Sequence, residues 1–190
     1  MISITRLRAA LKFPADRDSE LELLRDAVIS IFEARTHRNW MRRTGYIETR
    51  RTLGDTYSLY LGELRPVESV KTVEERLKND GTWVTLDPAS YLLELGLIAR
   101  IEKIGAPFAT NVRVTFDGGY THDTTILTAY ITPSDIANAL EIQARFIVNR
   151  MNDEKIATRS QSFDGVVAAL EEADLHPLFN STVAKYARRF

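Results

Sequence analysis

The chain has 190 residues, 44% of them hydrophobic, with 25 lysines and arginines against 26 acids, a formal net charge of -1 and no cysteine. That suits one globular core, or one core with a small appended module. It excludes disulfides, thiolate metal sites and cysteine nucleophiles, and gives no reason to expect a polyelectrolyte partner along the whole chain.

No apolar run approaches the roughly 20 residues that span a bilayer, so no membrane partner is expected. Charges interrupt the N-terminal stretch before a signal-peptide core can form. The expectation is a soluble protein that stays where it is made.

Residues 1–15 read as an irregular lead-in with apolar anchors at Ile2, Ile4, Leu7 and Leu11. Ser19 and Glu22 have capping-box spacing, and the pattern over 19–38 is helical. Leu21, Leu24, Val28, Ile31 and Phe32 make one stripe, and Arg35 and Arg38 suit the last turn. A basic stretch follows: Arg35, His37, Arg38, Arg42, Arg43, Arg50 and Arg51, interleaved with Trp40 and Tyr46. Such a mixture can bind nucleic acid or an acidic protein. The plainer reading is a helix end and the solvent face of a strand, with arginine stems lying over apolar surface.

From Gly45 to Phe116 the period changes to two. Gly54-Asp55, Asn79-Asp80-Gly81 and Gly96 each stand between two strand-like runs, which predicts three hairpins. A last strand should carry Val112, Val114 and Phe116 on one face. Six or seven short strands make a small antiparallel sheet or a barrel-like module. Trp83 is expected as a core or cross-strand partner rather than part of a ligand cage.

The clearest helix is predicted over 133–151. Thr132 suits the N-cap and Pro133 the first helical position, with Asp135 reaching back to the cap. Ile136, Ala137, Leu140, Ala144, Ile147 and Met151 share one face that must be buried. A polar loop and a short helix precede Pro177, and Leu178, Phe179, Val183 and Tyr186 have the spacing of a short last helix. The fold class is α+β.

No catalytic chemistry stands out. His37, His122 and His176 are isolated, without the spacing that sets two imidazoles on one helical face. His122-Asp123 has the look of a turn. There is no nucleophile elbow and no phosphate loop, and Gly118-Gly119 is too short to cradle phosphates. Catalytic, metal and cofactor residues are therefore all set at none, and an enzyme is not expected; a hydrolase with a site outside known motifs is the remote alternative.

Several phrases line up in order. Glu33-Ala34-Arg35-Thr36-His37-Arg38 closes the first long helix. Arg65-Pro66-Val67-Glu68-Ser69-Val70-Lys71-Thr72-Val73 follows in the strand region, then Phe116-Asp117-Gly118-Gly119-Tyr120. Thr132-Pro133 opens the long helix that finishes Val148-Asn149-Arg150. Ser162-Phe163-Asp164-Gly165, Leu175-His176-Pro177 and Tyr186-Ala187-Arg188-Arg189 complete the series. Taken together, from residue 18 onwards, this order resembles the head–tail connector (adaptor, or head-completion) proteins of tailed bacteriophages.

The resemblance implies a small helical connector domain, 1–44 and 118–190, with a β-rich insertion over 45–117. It implies a structural subunit that forms a ring, typically twelvefold, beneath the portal protein. The ring would extend the DNA channel and dock a tail or stopper protein. Genomic DNA would pass without sequence-specific contact. The place would be the virion's head–tail interface, with assembly in the host cytoplasm. By position, Phe179, Tyr186, Arg188, Arg189 and Phe190 would grip the portal. Neighbouring copies would meet through the basic Arg35, Arg38, Arg42 and Arg43 and the acidic Asp164, Glu171, Glu172 and Asp174. The alternative function is a nucleic-acid-binding module using the Arg35–Arg51 patch.

Overall fold

The helical periods at the two ends of the chain become helices that pack on one another, and the period-two middle becomes a separate β unit. The computed structural model describes residues 1–76, 81–123, 125, 130–157 and 175–187, with the backbone alone over 152–157. Two compact units result: Met1–His37 with Thr132–Phe190, and Arg38–Ile131.

The helical unit contains α1 (Ile4–Leu11), α2 (Asp18–Thr36), α3 (Ser134–Ala157) and α4 (Pro177–Tyr186). The two apolar stripes are its core: Leu21, Leu24, Val28 and Phe32 of α2 and Ile136, Ala137, Leu140, Ala144, Ile147 and Met151 of α3 are all buried. Ile31 is only half-buried, and Ile29 is buried beside the stripe.

The lead-in is not irregular. Ser3 caps α1 by accepting the Arg6 N–H at 3.1 Å, and Leu7 is buried. Lys12, at φ 56°, stops it. The Ser19–Glu22 capping box does not form, because the helix starts one residue earlier. Asp18 instead accepts from Arg8 at 3.0 Å, and Glu20 from Arg17 at 2.7 Å. α2 ends at Thr36 rather than Arg38, since His37 turns left-handed (φ 54°) and donates its N–H to Ala34. α3 begins at Ser134, and the Pro133 carbonyl accepts the Ala137 N–H at 3.0 Å.

The β unit has β1 (Arg43–Arg51), β2 (Ser58–Leu61), β3 (Val67–Arg76), β4 (Val84–Thr85), β5 (Tyr91–Glu94), β6 (Ala99–Lys103), β7 (Asn111–Gly118), β8 (Tyr120–Thr121) and β9 (Tyr130–Ile131). One antiparallel sheet runs β1-β7-β3-β4 and another β2-β6-β5; β8 and β9 pair in parallel. Leu59, Leu61, Val67, Val73, Ile101, Phe108, Val112, Val114 and Phe116 from both larger sheets form one buried cluster.

The second and third predicted hairpins form, as β3–β4 and β5–β6. The first does not: β1 pairs with β7 and β2 with β6, so the chain changes sheet at Gly54-Asp55. Long-range bonds hold that crossing. The Thr52 N–H reaches the Thr110 carbonyl at 2.8 Å, and the Phe108 N–H the Thr56 carbonyl at 2.8 Å.

The two strand phrases behind the resemblance have physical reasons. Val67, Val70 and Val73 are three residues apart, which in a regular strand would alternate faces. Bulges between Val67 and Ser69 and between Val70 and Thr72 each insert one residue. All three valines therefore stand opposite Gly118, Phe116 and Val114, on the core side. In the second phrase the glycines allow close backbone approach. A Cβ on Gly118 would lie 2.5 Å from the Pro66 carbonyl oxygen, and one on Gly119 (φ +92°) 2.6 Å from that of Met41. Tyr120 then stacks on Trp40, centroids 5.9 Å apart and 7° from parallel.

Candidate interaction surfaces

The basic stretch is largely paired within its own chain. In the helical unit, Arg35 is exposed on the last turn of α2. In the β unit, Arg38 lies over the Trp40 ring at 6.0 Å and Arg43 over Tyr46 at 5.9 Å. Arg42 binds Glu68 through Nε and Nη2, each at 3.0 Å. Arg50 donates to Glu48 at 2.7 Å. The Glu48 carboxylate is wholly buried and also accepts the N–H groups of Gly62 and Glu63 at 3.3 and 3.1 Å. Arg42 and Arg50 thus serve strand-to-loop linkage, and Arg43, over its ring, and Arg51 are the exposed cations of β1. The proposed acidic counterparts, Asp164, Glu171, Glu172 and Asp174, lie outside the described residues.

The C-terminal helix is a wall of the bundle rather than a reaching arm. Phe179 is fully buried and meets Phe32 edge-on, centroids 5.9 Å apart. His176 caps the helix, its Nδ1 accepting the Leu178 N–H at 3.3 Å. Gln143, buried on α3, accepts the His176 N–H at 2.9 Å. Asp135 does not reach back to its own cap. It accepts the Ile136 N–H at 2.9 Å and bonds from Lys185 Nζ at 2.6 Å and the Tyr186 hydroxyl at 2.9 Å. Of the residues expected at the portal, Phe179 is thus buried in the bundle and Tyr186 has its hydroxyl bound to Asp135. Arg188, Arg189 and Phe190 lie outside the described residues.

The histidines serve turns and caps where their bonds are resolved: His37 ends α2 and His176 opens α4. Asp123 accepts both the N–H and the hydroxyl of Thr125, at 2.9 and 2.7 Å, as a turn carboxylate does. Those two bonds hold its carboxyl below the usual range. Among the described residues no three acids and histidines gather as a metal site, and no helix is long and apolar enough to cross a membrane.

Three features of the β unit add to the sequence reading, which places Trp83 only as a core or cross-strand partner. Trp83 is sandwiched between Arg76 and Arg113, each 4.6 Å from the ring centroid, and Arg113 also binds Glu74 at 2.8 Å. The connection between β5 and β6 carries Leu95, Leu97 and Ile98 exposed, and Leu92 is exposed on β5 itself. A mostly apolar cleft of about 640 Å³ is lined by Val84, Pro107, Phe108 and Ala109, with Arg76 and Lys103 at its edge. Leucines flanking Gly96 were visible in the sequence, but strand periodicity assigned them to pairing rather than exposure.

No family model matches the chain, and no curated protein matches it in sequence. Among solved structures, a chain from the neck of an empty gene transfer agent (GTA) particle, computed with C6 symmetry, superposes with a TM-score of 0.63 at 19% identity. The alignment covers 100% of this chain and 90% of that one. A chain from the neck of the native particle, computed with C12 symmetry, gives 0.58 at 18% identity over 98% of this chain and 88% of that one. One from the virion of the native particle gives 0.56 at 18%, over 100% and 90%. The fold is therefore that of chains found in the necks of phage-like particles.

Proposed function

We propose that the chain is a structural head–tail connector subunit, an adaptor that forms a ring under the portal, extends the DNA channel and presents a docking surface to a tail or stopper protein. The observation that carries this reading is the likeness, over the full chain, to neck chains of a particle solved with C6 and C12 symmetry. The order of phrases along the sequence supports it independently. Neighbouring copies would be its first partners, twelve in the virion. DNA would slide past without a specific grip, in keeping with a chain whose charges cancel. The nucleic-acid-binding alternative loses ground because Arg42 and Arg50 are held by Glu68 and Glu48.

Electron microscopy of the protein mixed with its portal protein tests the reading. Rings capping the portal's narrow end are expected; portals that stay bare would sink it. Truncation after Leu178, the obvious test of a tail anchor, would remove buried Phe179 and damage the bundle. Removing 188–190 is the appropriate cut, and it should leave a folded protein that no longer joins portals. For contact between copies, Arg43→Glu is a cleaner reversal than Arg42→Glu, which would set a second carboxylate against Glu68. Weaker ring formation on portals is expected from it.

A further inference from the structure

We propose that copies of this chain join head to tail through the β unit, the apolar tip of the β5–β6 hairpin on one copy seating in the cleft of the next. The proposal deepens, and rests on, the ring reading above.

The tip and the cleft lie at opposite ends of one strand. Gly96, in the tip, accepts the N–H of Val67, the first residue of β3, at 3.0 Å. Glu75 and Arg76, the last two residues of β3, line the cleft. The cleft also takes in Lys103, at the far end of β6 from the tip, so the length of β6 sets tip and cleft on the order of 15–20 Å apart. The tip therefore cannot fill the cleft of its own copy. Each copy offers one protrusion and one recess, on different surfaces, and such a heterologous contact repeats around a ring.

The chemistry matches. Leu95, Leu97 and Ile98 are 47, 54 and 48% exposed, and clustered large aliphatic side chains on a protrusion mark an interaction surface. The recess offers exposed Val84 and half-buried Pro107 and Ala109 to receive them, with the buried Phe108 ring beneath. Charge completes the fit. Arg76 sits at the recess with its Nε buried and no acceptor for it among the described residues. Glu94, at the base of the tip, is 71% exposed and only loosely paired, 3.8 Å from Arg100. A neighbour's Glu94 would bring a carboxylate to the Arg76 side of the recess, a complementary pairing of charge across the contact.

The absence of cysteine makes a direct test clean. The full-length variants Leu97→Cys and Thr82→Cys place one thiol on the tip and one on the exposed rim of the cleft. They are mixed at high concentration, oxidised, and run without reductant beside sedimentation of the unmodified protein. Mixed Leu97→Cys/Thr82→Cys dimers far exceeding either homodimer are expected. The triple variant Leu95→Asp/Leu97→Asp/Ile98→Asp, with an unchanged circular dichroism spectrum, should lose the fast-sedimenting species. Assemblies without the mixed disulfide overturn the contact and leave the ring reading standing. Homodimers in place of mixed dimers overturn it in favour of a two-fold contact. A protein that stays monomeric at millimolar concentration also overturns it, and the portal experiment then decides the ring reading by itself.

Discussion

Phe179 meets Phe32 edge-on, ring centroids 5.9 Å apart at 69°, and neither ring reaches solvent. The pair ties the last helix to the first long one across most of the sequence. Phe179→Ala should therefore cost about 3–5 kcal/mol, the range for deleting a buried aromatic ring. Urea unfolding of the full chain measures it. A loss under about 1 kcal/mol would mean that α4 contributes little to the bundle.

Asp135 provides the second tie between α3 and α4. Burial alone would raise its carboxyl, but the bonds from Lys185, Tyr186 and the Ile136 N–H more than offset it, so its pKa is lowered. A carboxyl depressed in the folded state stabilises above its unfolded value of 3.8, and that contribution disappears as pH falls through the folded value. Amide exchange in α4 should accelerate on acidification below that point, ahead of exchange in α2. Asp135→Asn should make α4 exchange faster at neutral pH and remove the acid step. An acid step retained in the variant would assign it to another carboxylate.

Gly119 is needed where it stands. Its φ is +92°, and a Cβ there would lie 2.6 Å from the Met41 carbonyl oxygen, so no side chain fits. Gly119→Ala should destabilise the β unit by more than the roughly 1–2 kcal/mol of the backbone conformation alone. The Trp40 fluorescence should change with it, since Tyr120 stacks on that ring. A variant as stable as the parent would show that the Met41 segment gives way freely.

How much of this was readable follows from how local each cause is. The α3 face from Ile136 to Met151 is set by helical periodicity and is buried as the spacing demanded. The Gly96 hairpin forms between β5 and β6, joined in sequence. The pairing of β1 with β7 joins residues far apart along the chain, and no local pattern specifies it. The Pro-Val-x-x-Val-x-x-Val phrase was legible as a phrase but not as geometry, because two bulges convert a spacing of three into one face. The candidate surfaces were least readable. Arginine clusters in the sequence do not reveal that Glu68 and Glu48 hold Arg42 and Arg50. A last helix at amphipathic spacing does not say whether its partner is its own chain or another.

Tyr46 makes the alkaline limb of stability testable. Its hydroxyl donates to Glu63 and accepts from the Asn39 side chain, each at 3.0 Å. Burial pushes the phenol up, and the hydrogen bond to Glu63 adds to that, to about 12 against an ordinary 10.0. A phenol raised in the folded state contributes stability that is full below 10 and is lost as pH rises from there through about 12. Tyrosinate absorbance should therefore show Tyr46 among the tyrosines that titrate late, up to unfolding. Tyr46→Phe should cost about 1 kcal/mol at neutral pH, for the bond to Glu63, and flatten the decline between pH 10 and 12. Burial raises Tyr91 and Tyr186 as well, so the decline should shrink rather than vanish. A variant with the parent's alkaline slope would place the effect on those two residues.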